Sequence, residues 1–374
     1  MGLFYRMFFM SALKFQDSEK AHRRSLRMLR LTSRISISRS LLKLLYRPKS
    51  NFNIDAMGLR FTNPFGVAAG MDKSAEALEG WSSLGVGFTE IGGITMLQQD
   101  GNPKPRMFRL NSKEVLINRM GFNNIGSEKM AHYLSQTKAR RSKHVQPLWV
   151  NVGKSKITPL KDAKLDYGTT IERLWPHVDA FVINVSSPNT PELRKLQNEE
   201  FLKDLLSHCN RLNDDMATEA GQKRKPMLVK VAPDLEKHDF DVILSTVIES
   251  KFDGIVICNT TVQRPTPTNA KEERILNQTG GLSGRFLHEQ SLKMISHAYS
   301  TTKGQLTIVG VGGIFDAKDA IECIRAGATL VQAYSGFVFH GPAIVRSIVH
   351  GIESELKKEQ LSDYLDLVGR DHGF

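Results

Sequence analysis

The chain has 374 residues, 40% hydrophobic and 24% charged, with a mean hydropathy of −0.28 and a formal net charge of +12. That length suits one large α/β barrel or two medium domains, and the composition excludes a disordered or collagen-like polypeptide. No apolar run approaches the roughly 20 residues that cross a bilayer, and Cys209, Cys258 and Cys323 lie too far apart for a disulfide framework, a CxxC pair or a cysteine-ligated metal.

The charge sits at one end. Residues 1–50 carry twelve Lys or Arg against Asp17 and Glu19, whereas the other 324 residues hold 39 basic and 37 acidic side chains. A basic end segment serves nucleic acid, an anionic membrane or a targeting receptor. Residues 3–15 are rich in Phe, Met and Leu and predict a first short helix. Asp17–Ser18 then offers an N-cap for a second. On a helical wheel Arg23, Arg24, Arg27 and Arg30 share one side, opposite Ala21, Ser25, Met28, Leu29 and Thr32, with His22 at the edge beside Leu26. Two such helices lie in a membrane interface without spanning it. Residues 30–43 have the flavour of a mitochondrial transit peptide. The aromatic run Phe4–Phe9 at the start of the sequence argues against a presequence. The expectation is peripheral docking of residues 1–45 on an anionic surface, on the cytoplasmic side of a bacterial inner membrane, with the mitochondrial inner membrane as the alternative. No basic stripe continues into the body, so nucleic acid is not expected as a partner.

From residue 60 onward, short β-branched runs recur, each closed by Gly, Asn or Ser and followed by a helical stretch. They are Gly66–Ala69, Phe88–Gly92, Leu148–Val152, Phe181–Val185, Leu228–Val231, Gly254–Ile257, Leu306–Val309 and Leu330–Ala333. Helical patterns fall at Ser74–Leu84, Glu200–Leu212, Asp239–Glu249, Phe286–Tyr299 and Ala317–Ala326. Strands alternating with helices pair in parallel, and eight such units predict an α/β fold of the (β/α)8 TIM barrel type over residues 46–374. Residues 97–118 and 262–280 are long enough to be lids or hairpin excursions. Residues 346–374 read as a closing helix and a polar end.

Such barrels carry their sites at the C-terminal strand ends. The residues there are Lys73, Gly93, Asn151, Asn184 with Ser186–Ser187, Lys230, Asn259 with Thr260, Gly312–Gly313 and Tyr334–Ser335. Two lysines, three asparagines and glycine turns after the last two strands make an amide-rich, anion-binding mouth. No His/Asp/Glu cluster stands among them, so no metal is expected. This donor set suits a flavin with its phosphate, together with a small carboxylate. Lys230, inside the apolar run LVKVAP, requires a buried partner. Cys209 and Cys323 fall in helical stretches and read as structural.

The segments AAGMDK (68–73), INRMGFNN (117–124), NVGKSK (151–156), NVSSPNTPELR (184–194), VKVAPD (229–234), TGGLSGR (279–285), VGVGGI (309–314) and YSGF (334–337) are collinear with a known pattern. On these motifs the sequence resembles the dihydroorotate dehydrogenases, from near residue 1 to about 350. The amphipathic arm, and Ser187 where the soluble class carries cysteine, make it similar to the membrane-associated, quinone-linked class 2.

The resemblance implies oxidation of dihydroorotate to orotate, with FMN as hydride acceptor and a membrane quinone as final acceptor. Ser187 would be the base and Lys73 its electrostatic partner. Asn118, Arg119, Met120, Gly121, Phe122, Asn184, Asn189, Asn259 and Thr260 would bind substrate. Ala69, Gly70, Lys73, Gly93, Asn151, Asn184, Lys230, Cys258, Gly284, Gly313, Tyr334 and Ser335 would bind FMN. His22 and Arg109 would face the quinone, and the protein would work as a monomer. Gly93 replaces the Thr or Ser of relatives, and Cys258 replaces a Thr of the bacterial pattern. Both positions would meet flavin through backbone, so FMN binding should survive. Competing readings are another FMN-dependent barrel oxidoreductase (a soluble-class dihydroorotate dehydrogenase or a dihydrouridine synthase) and a non-catalytic phosphate- or lipid-binding barrel.

Overall fold

The computed structural model describes residues 17–141, 146–190 and 192–373. The first predicted helix, residues 3–15, lies outside them. Among the described residues, eight parallel strands close into a barrel: β3 (Phe65–Val67), β4 (Phe88–Ile94), β7 (Leu148–Val152), β8 (Ala180–Asn184), β9 (Met227–Lys230), β10 (Gly254–Ile257), β12 (Thr307–Val311) and β13 (Leu330–Ala333). They pair in chain order, and β13 returns to β3 with Val331 opposite Phe65. All eight predicted strands are present, their ends shifted by two residues at most. Except for Thr307 their residues are buried, because helices cover the outside while side chains fill the inside.

The five predicted outer helices form at Leu78–Leu84, Glu199–Ala220, Lys237–Glu249, His288–Thr302 and Ala317–Arg325. Helices at Ser127–Arg141, Ala163–Leu174 and Ala270–Leu276 carry weaker patterns and escape the sequence reading. The tail also differs from expectation. After the helix Ala343–Lys358 the chain is not simply polar, since Tyr364 and Leu367 are buried and the Tyr364 hydroxyl donates to Thr329 O at 2.8 Å.

Three additions complete the barrel. A short hairpin, β1 (Ile54–Ala56) and β2 (Leu59–Phe61), closes the N-terminal end, where Phe61 sets its ring edge-on against Phe88 and Trp149 at 5.7 and 6.0 Å. Across the opposite end, β5 (Met107–Leu110) and β6 (Val115–Asn118) form a hairpin to which β11 (Gly281–Gly284) adds antiparallel. Both long excursions thus end in one sheet over the mouth.

The third addition is the arm: α1 (Ser18–Arg34) and α2 (Ser36–Tyr46). Asp17 caps α1 as expected, its Oδ1 accepting from Lys20 N at 3.0 Å. Leu26 joins the main core, and Leu29 lies against Gly80, where a Cβ would stand 2.5 Å from the Leu29 side chain. Arg30, on the predicted basic rim, pairs there with Glu76 at 3.6 Å. Glu19, at the start of α1, is buried with Arg106 of the mouth excursion in a bidentate pair at 2.8 and 3.1 Å. Removing the plug at the barrel's closed end tests its weight. Phe61→Ala should cost about 3–5 kcal/mol in chemical denaturation, since the two rings it touches cannot collapse into the space.

Candidate active site

Parallel closure sends every strand's C-terminal residue to one rim. There a cavity is lined by Ala69, Gly70, Lys73, Gly93, Asn118, Met120, Gly121, Phe122, Asn151, Asn184, Ser187, Asn189, Lys230, Cys258, Asn259, Thr260, Gly284, Gly313, Tyr334 and Ser335. Those are the sequence-predicted mouth residues, brought together from all parts of the chain. Arg119 is the exception. Its guanidinium lies over the Phe108 ring at 4.6 Å and donates to Gln278 Oε1 and Thr279 O at 3.2 Å, away from the cavity. Alternation along β6 and its extension explains this, since Asn118 faces in and its neighbour must face out.

Carboxamides line the cavity from its floor to the β6 edge of its roof. Asn184 Nδ2 donates to Asn151 Oδ1 at 2.8 Å, Asn259 Nδ2 donates to Ser186 Oγ at 3.0 Å, and Asn189 Nδ2 donates to Asn118 Oδ1 at 3.4 Å. The Ser187 side chain sits on the loop after β8, nearly buried, its Oγ accepting from Asn189 N at 3.3 Å. Arg194 fastens that loop by donating to Ser186 O and Thr260 O at 3.2 and 3.3 Å and pairing with Asp234 at 3.1 Å.

Two cations face this floor. Lys73 donates to Asn123 Oδ1, and its pKa is lowered to about 8, chiefly by burial and then by Arg106, against the opposing pull of Glu19. Lys230 stands 3.7 Å from Glu90 Oε1. Glu90, Gln332 and Asn123 are site residues the sequence reading missed. Glu90 and Gln332 lie inside strand runs, where only the two-residue alternation of an interior-facing position marks them.

At one wall the backbone comes bare to the cavity. Gly312 and Gly313 have φ of +128° and +73°, and a Cβ at Gly313 would stand 2.5 Å from His288 N. At Gly93 the limit is a side chain, because a Cβ there would meet the Phe122 ring at 2.6 Å. Burial pushes the Cys258 thiol up to about 12 while its Sγ lies 3.3 Å from Ser291 Oγ, so it lines the cavity as an inert neutral group.

His22 and Arg109 do not line this cavity. They belong to a second one of about 410 Å3 between the arm and the barrel, lined mostly by apolar side chains such as Ala21, Met28, Leu29, Leu42 and Phe337. The predicted apolar sector Ala21, Ser25, Met28, Leu29 and Thr32 lines it, joined by Arg24 from the expected polar side. Burial lowers the His22 pKa to about 4, and its ring stacks on Tyr334 with centroids 6.3 Å apart. Met107, Leu116 and Tyr334 line both cavities and form the partition between them. Away from the mouth, ligand atoms of His288, Asp319 and Glu322 gather within 4.8 Å of one another. There His288 Nε2 bonds Glu322 at 2.8 Å and Arg285 reaches Asp319 at 3.5 Å, so the side chains of these two outer helices already partner one another.

A parallel barrel with this glycine-walled, amide-rich mouth defines the class: a barrel enzyme whose site suits a phosphate-bearing cofactor beside a small polar substrate. Comparison with known proteins refines it. The family model described as Dihydroorotate dehydrogenase matches residues 52–356. A dihydroorotate dehydrogenase (quinone) of Streptomyces avermitilis is 43% identical over 368 residues, 98% of each chain. One of the same name from Deinococcus radiodurans is 41% identical, covering 95% of this chain and 96% of that one. A crystal structure of DHODH from Eimeria tenella in complex with ferulenol aligns with a TM-score of 0.81 at 33% identity, over 90% of this chain and 96% of that one. The chain belongs to the dihydroorotate dehydrogenase family, in its quinone-linked class 2.

Proposed function

We propose that this chain oxidises (S)-dihydroorotate to orotate with FMN as hydride acceptor and passes the electrons to a membrane quinone, a step of pyrimidine (UMP) biosynthesis. The observation that carries this reading is the pairing of two cavities of opposite character, one polar and one apolar, across the partition Met107, Leu116 and Tyr334. The residues present fit FMN. Gln332 Oε1 is a buried acceptor with no partner among the described residues, on a side chain that lines the cavity, and the turns at Gly312–Gly313 and Tyr334–Gly336 bare their backbone for a phosphate. When bound, FMN supplies the ring whose N5 takes the hydride from C6.

The protein's own groups do the rest. Ser187 takes the C5 proton, a task its hydroxyl performs only with a relay through water and neighbouring hydroxyls. Lys73 offsets negative charge developing on the substrate, and it is cationic below about pH 8. Asn118, Asn184, Asn189, Asn259 and Thr260, with backbone at Met120–Phe122, hold the ring and carboxylate. Lys230 stabilises charge at one edge of the flavin. His22 and Arg109 meet the ring oxygens of the quinone at the head of the apolar cavity.

Residues 1–45 serve as the docking and quinone-tunnel segment, and residues 46–374 as the catalytic barrel. Met28, Leu31, Ile35, Ile37, Leu41 and Leu44 are each more than half exposed on the arm, interleaved with Arg24, Arg27, Arg34 and Arg39. That mixture favours the interface of an anionic bilayer. Among the described residues no helix is long and apolar enough to cross a membrane. The residues of the proposed polar site all lie in this chain, so that site needs no second subunit to be complete. The 41–43% identical relatives come from bacteria, which supports the cytoplasmic face of a bacterial inner membrane.

Anaerobic addition of dihydroorotate to the yellow holoenzyme should bleach it, and a flavin that stays oxidised overturns the reading. In stopped flow, Ser187→Ala should retain FMN but slow bleaching by about 100-fold or more, and a wild-type rate would mean another group is the base. Because the Lys73 cation is lost as pH rises, KM for dihydroorotate should climb through about pH 8, whereas Lys73→Met should give a high KM with a flat profile on both sides of that value. Deleting residues 1–45 should leave bleaching by dihydroorotate intact but abolish rapid turnover with long-chain quinones; unchanged quinone kinetics would discard the tunnel assignment.

A further inference from the structure

The barrel centre holds a carboxylate that no step above uses. Glu90, on β4, is fully buried. Its Oε1 accepts from Asn151 Nδ2 and its Oε2 from Gln332 Nε2, both at 2.7 Å. From there a direction propagates. Asn151 Oδ1 accepts from Asn184 Nδ2 at 2.8 Å, and Asn184 Oδ1 accepts from Ser186 N and Oγ at 3.2 and 3.0 Å and from Asn259 Nδ2 at 3.4 Å. Asn259 Oδ1 then accepts from Thr260 N at 2.8 Å.

A carboxamide has a donor end and an acceptor end of nearly equal shape, so packing alone does not decide which end points where. A carboxylate only accepts. Set between two amides, Glu90 draws both NH2 groups toward itself and turns both carbonyls away. The Asn151 carbonyl then starts the relay that ends beside Ser187. The Gln332 carbonyl is left at the cavity floor, where Oε1 is buried and has no partner among the described residues.

We propose that Glu90 is a positioning residue that sets the direction of this amide relay, and that Gln332 Oε1 is the acceptor it thereby presents to the imide N–H of the flavin ring. The inference rests on the FMN-dependent reading of the cavity. With an amide in place of the carboxylate, one NH2 must face a neighbour's NH2. The least disruptive escape is to turn Gln332 over, which presents a donor to the ring's donor.

The test is a swap, read by FMN fluorescence titration and by the midpoint potential of the bound flavin, neither of which needs substrate. Glu90→Gln should weaken FMN binding by about tenfold or more, because a made hydrogen bond becomes an opposed pair of donors; the shift in potential is read in Gln332→Met, which keeps Glu90 paired with Lys230. The double variant Glu90→Gln/Gln332→Glu restores a carboxylate against an amide with the relay's direction kept, and it should recover most of the lost affinity. A purely structural role predicts the opposite, since a second substitution in the barrel core only adds damage. Wild-type FMN affinity in the single variant, or no recovery in the double one, overturns the proposal. Should the single variant fail to fold, Gln332→Met removes the presented acceptor and leaves Glu90 bonded to Asn151; undiminished FMN affinity there overturns it equally. A wild-type protein that binds FMN but is not bleached by dihydroorotate would sink the proposed reaction and leave this inference standing.

Discussion

Parallel closure of the eight-stranded barrel is the constraint on which the rest depends. Every strand runs the same way, so each delivers its last residues to the same rim, and groups more than 250 residues apart, from Lys73 to Tyr334, meet in one cavity. The strand alternation then decides what fills the inside. At most positions that is Val, Ile or Leu, but at one level it is Glu90, Asn151, Asn184, Lys230 and Gln332, all buried. Buried polar groups are costly unless bonded, and here the Glu90 carboxylate, a cation and a directed run of amides satisfy one another. Within this set, Gln332 Oε1 is left without a partner among the described residues, on a side chain that lines the cavity.

The excursions add the second half of the design. A bare barrel would have an open mouth, and the sheet β5–β6–β11 roofs it with backbone hydrogen bonds that need no help from solvent. The same excursion supplies Arg106, whose bidentate pair with Glu19 ties the arm to the roof. Removing either partner would leave a buried charge uncompensated, so the pair holds the arm in one place more than it adds net stability. The arm in turn covers the outer side of Tyr334 and creates the apolar cavity. A polar chamber for a charged substrate and an apolar one for a lipid-soluble acceptor therefore share a wall one side chain thick.

How much of this the residues disclosed depends on the kind of signal. All eight barrel strands were legible because a strand buried on both faces must be an unbroken apolar run. The mouth residues were legible because a strand's end is marked in sequence and its consequence in a barrel is fixed. Arg119 was misplaced because motif membership does not say which of two neighbouring side chains faces in. The partner of Arg30 was not legible, because a wheel shows which residues share a face but not that Glu76 waits beside that face. The helices Ser127–Arg141 and Ala163–Leu174 were missed because their periodicity is diluted by polar residues, and packing against the neighbouring helices, not local preference, holds them.

The sequence by itself determined the strand–helix alternation, the concentration of positive charge in the first fifty residues, and the set of side chains at each strand end, since all three are local properties written in residue order. Tertiary structure alone decided which way each amide points, that Lys230 would find Glu90 and Lys73 would find Asn123, and that Tyr334 would become a partition. Those outcomes depend on contacts between segments far apart in the chain, and no local pattern encodes the direction from which a distant partner arrives.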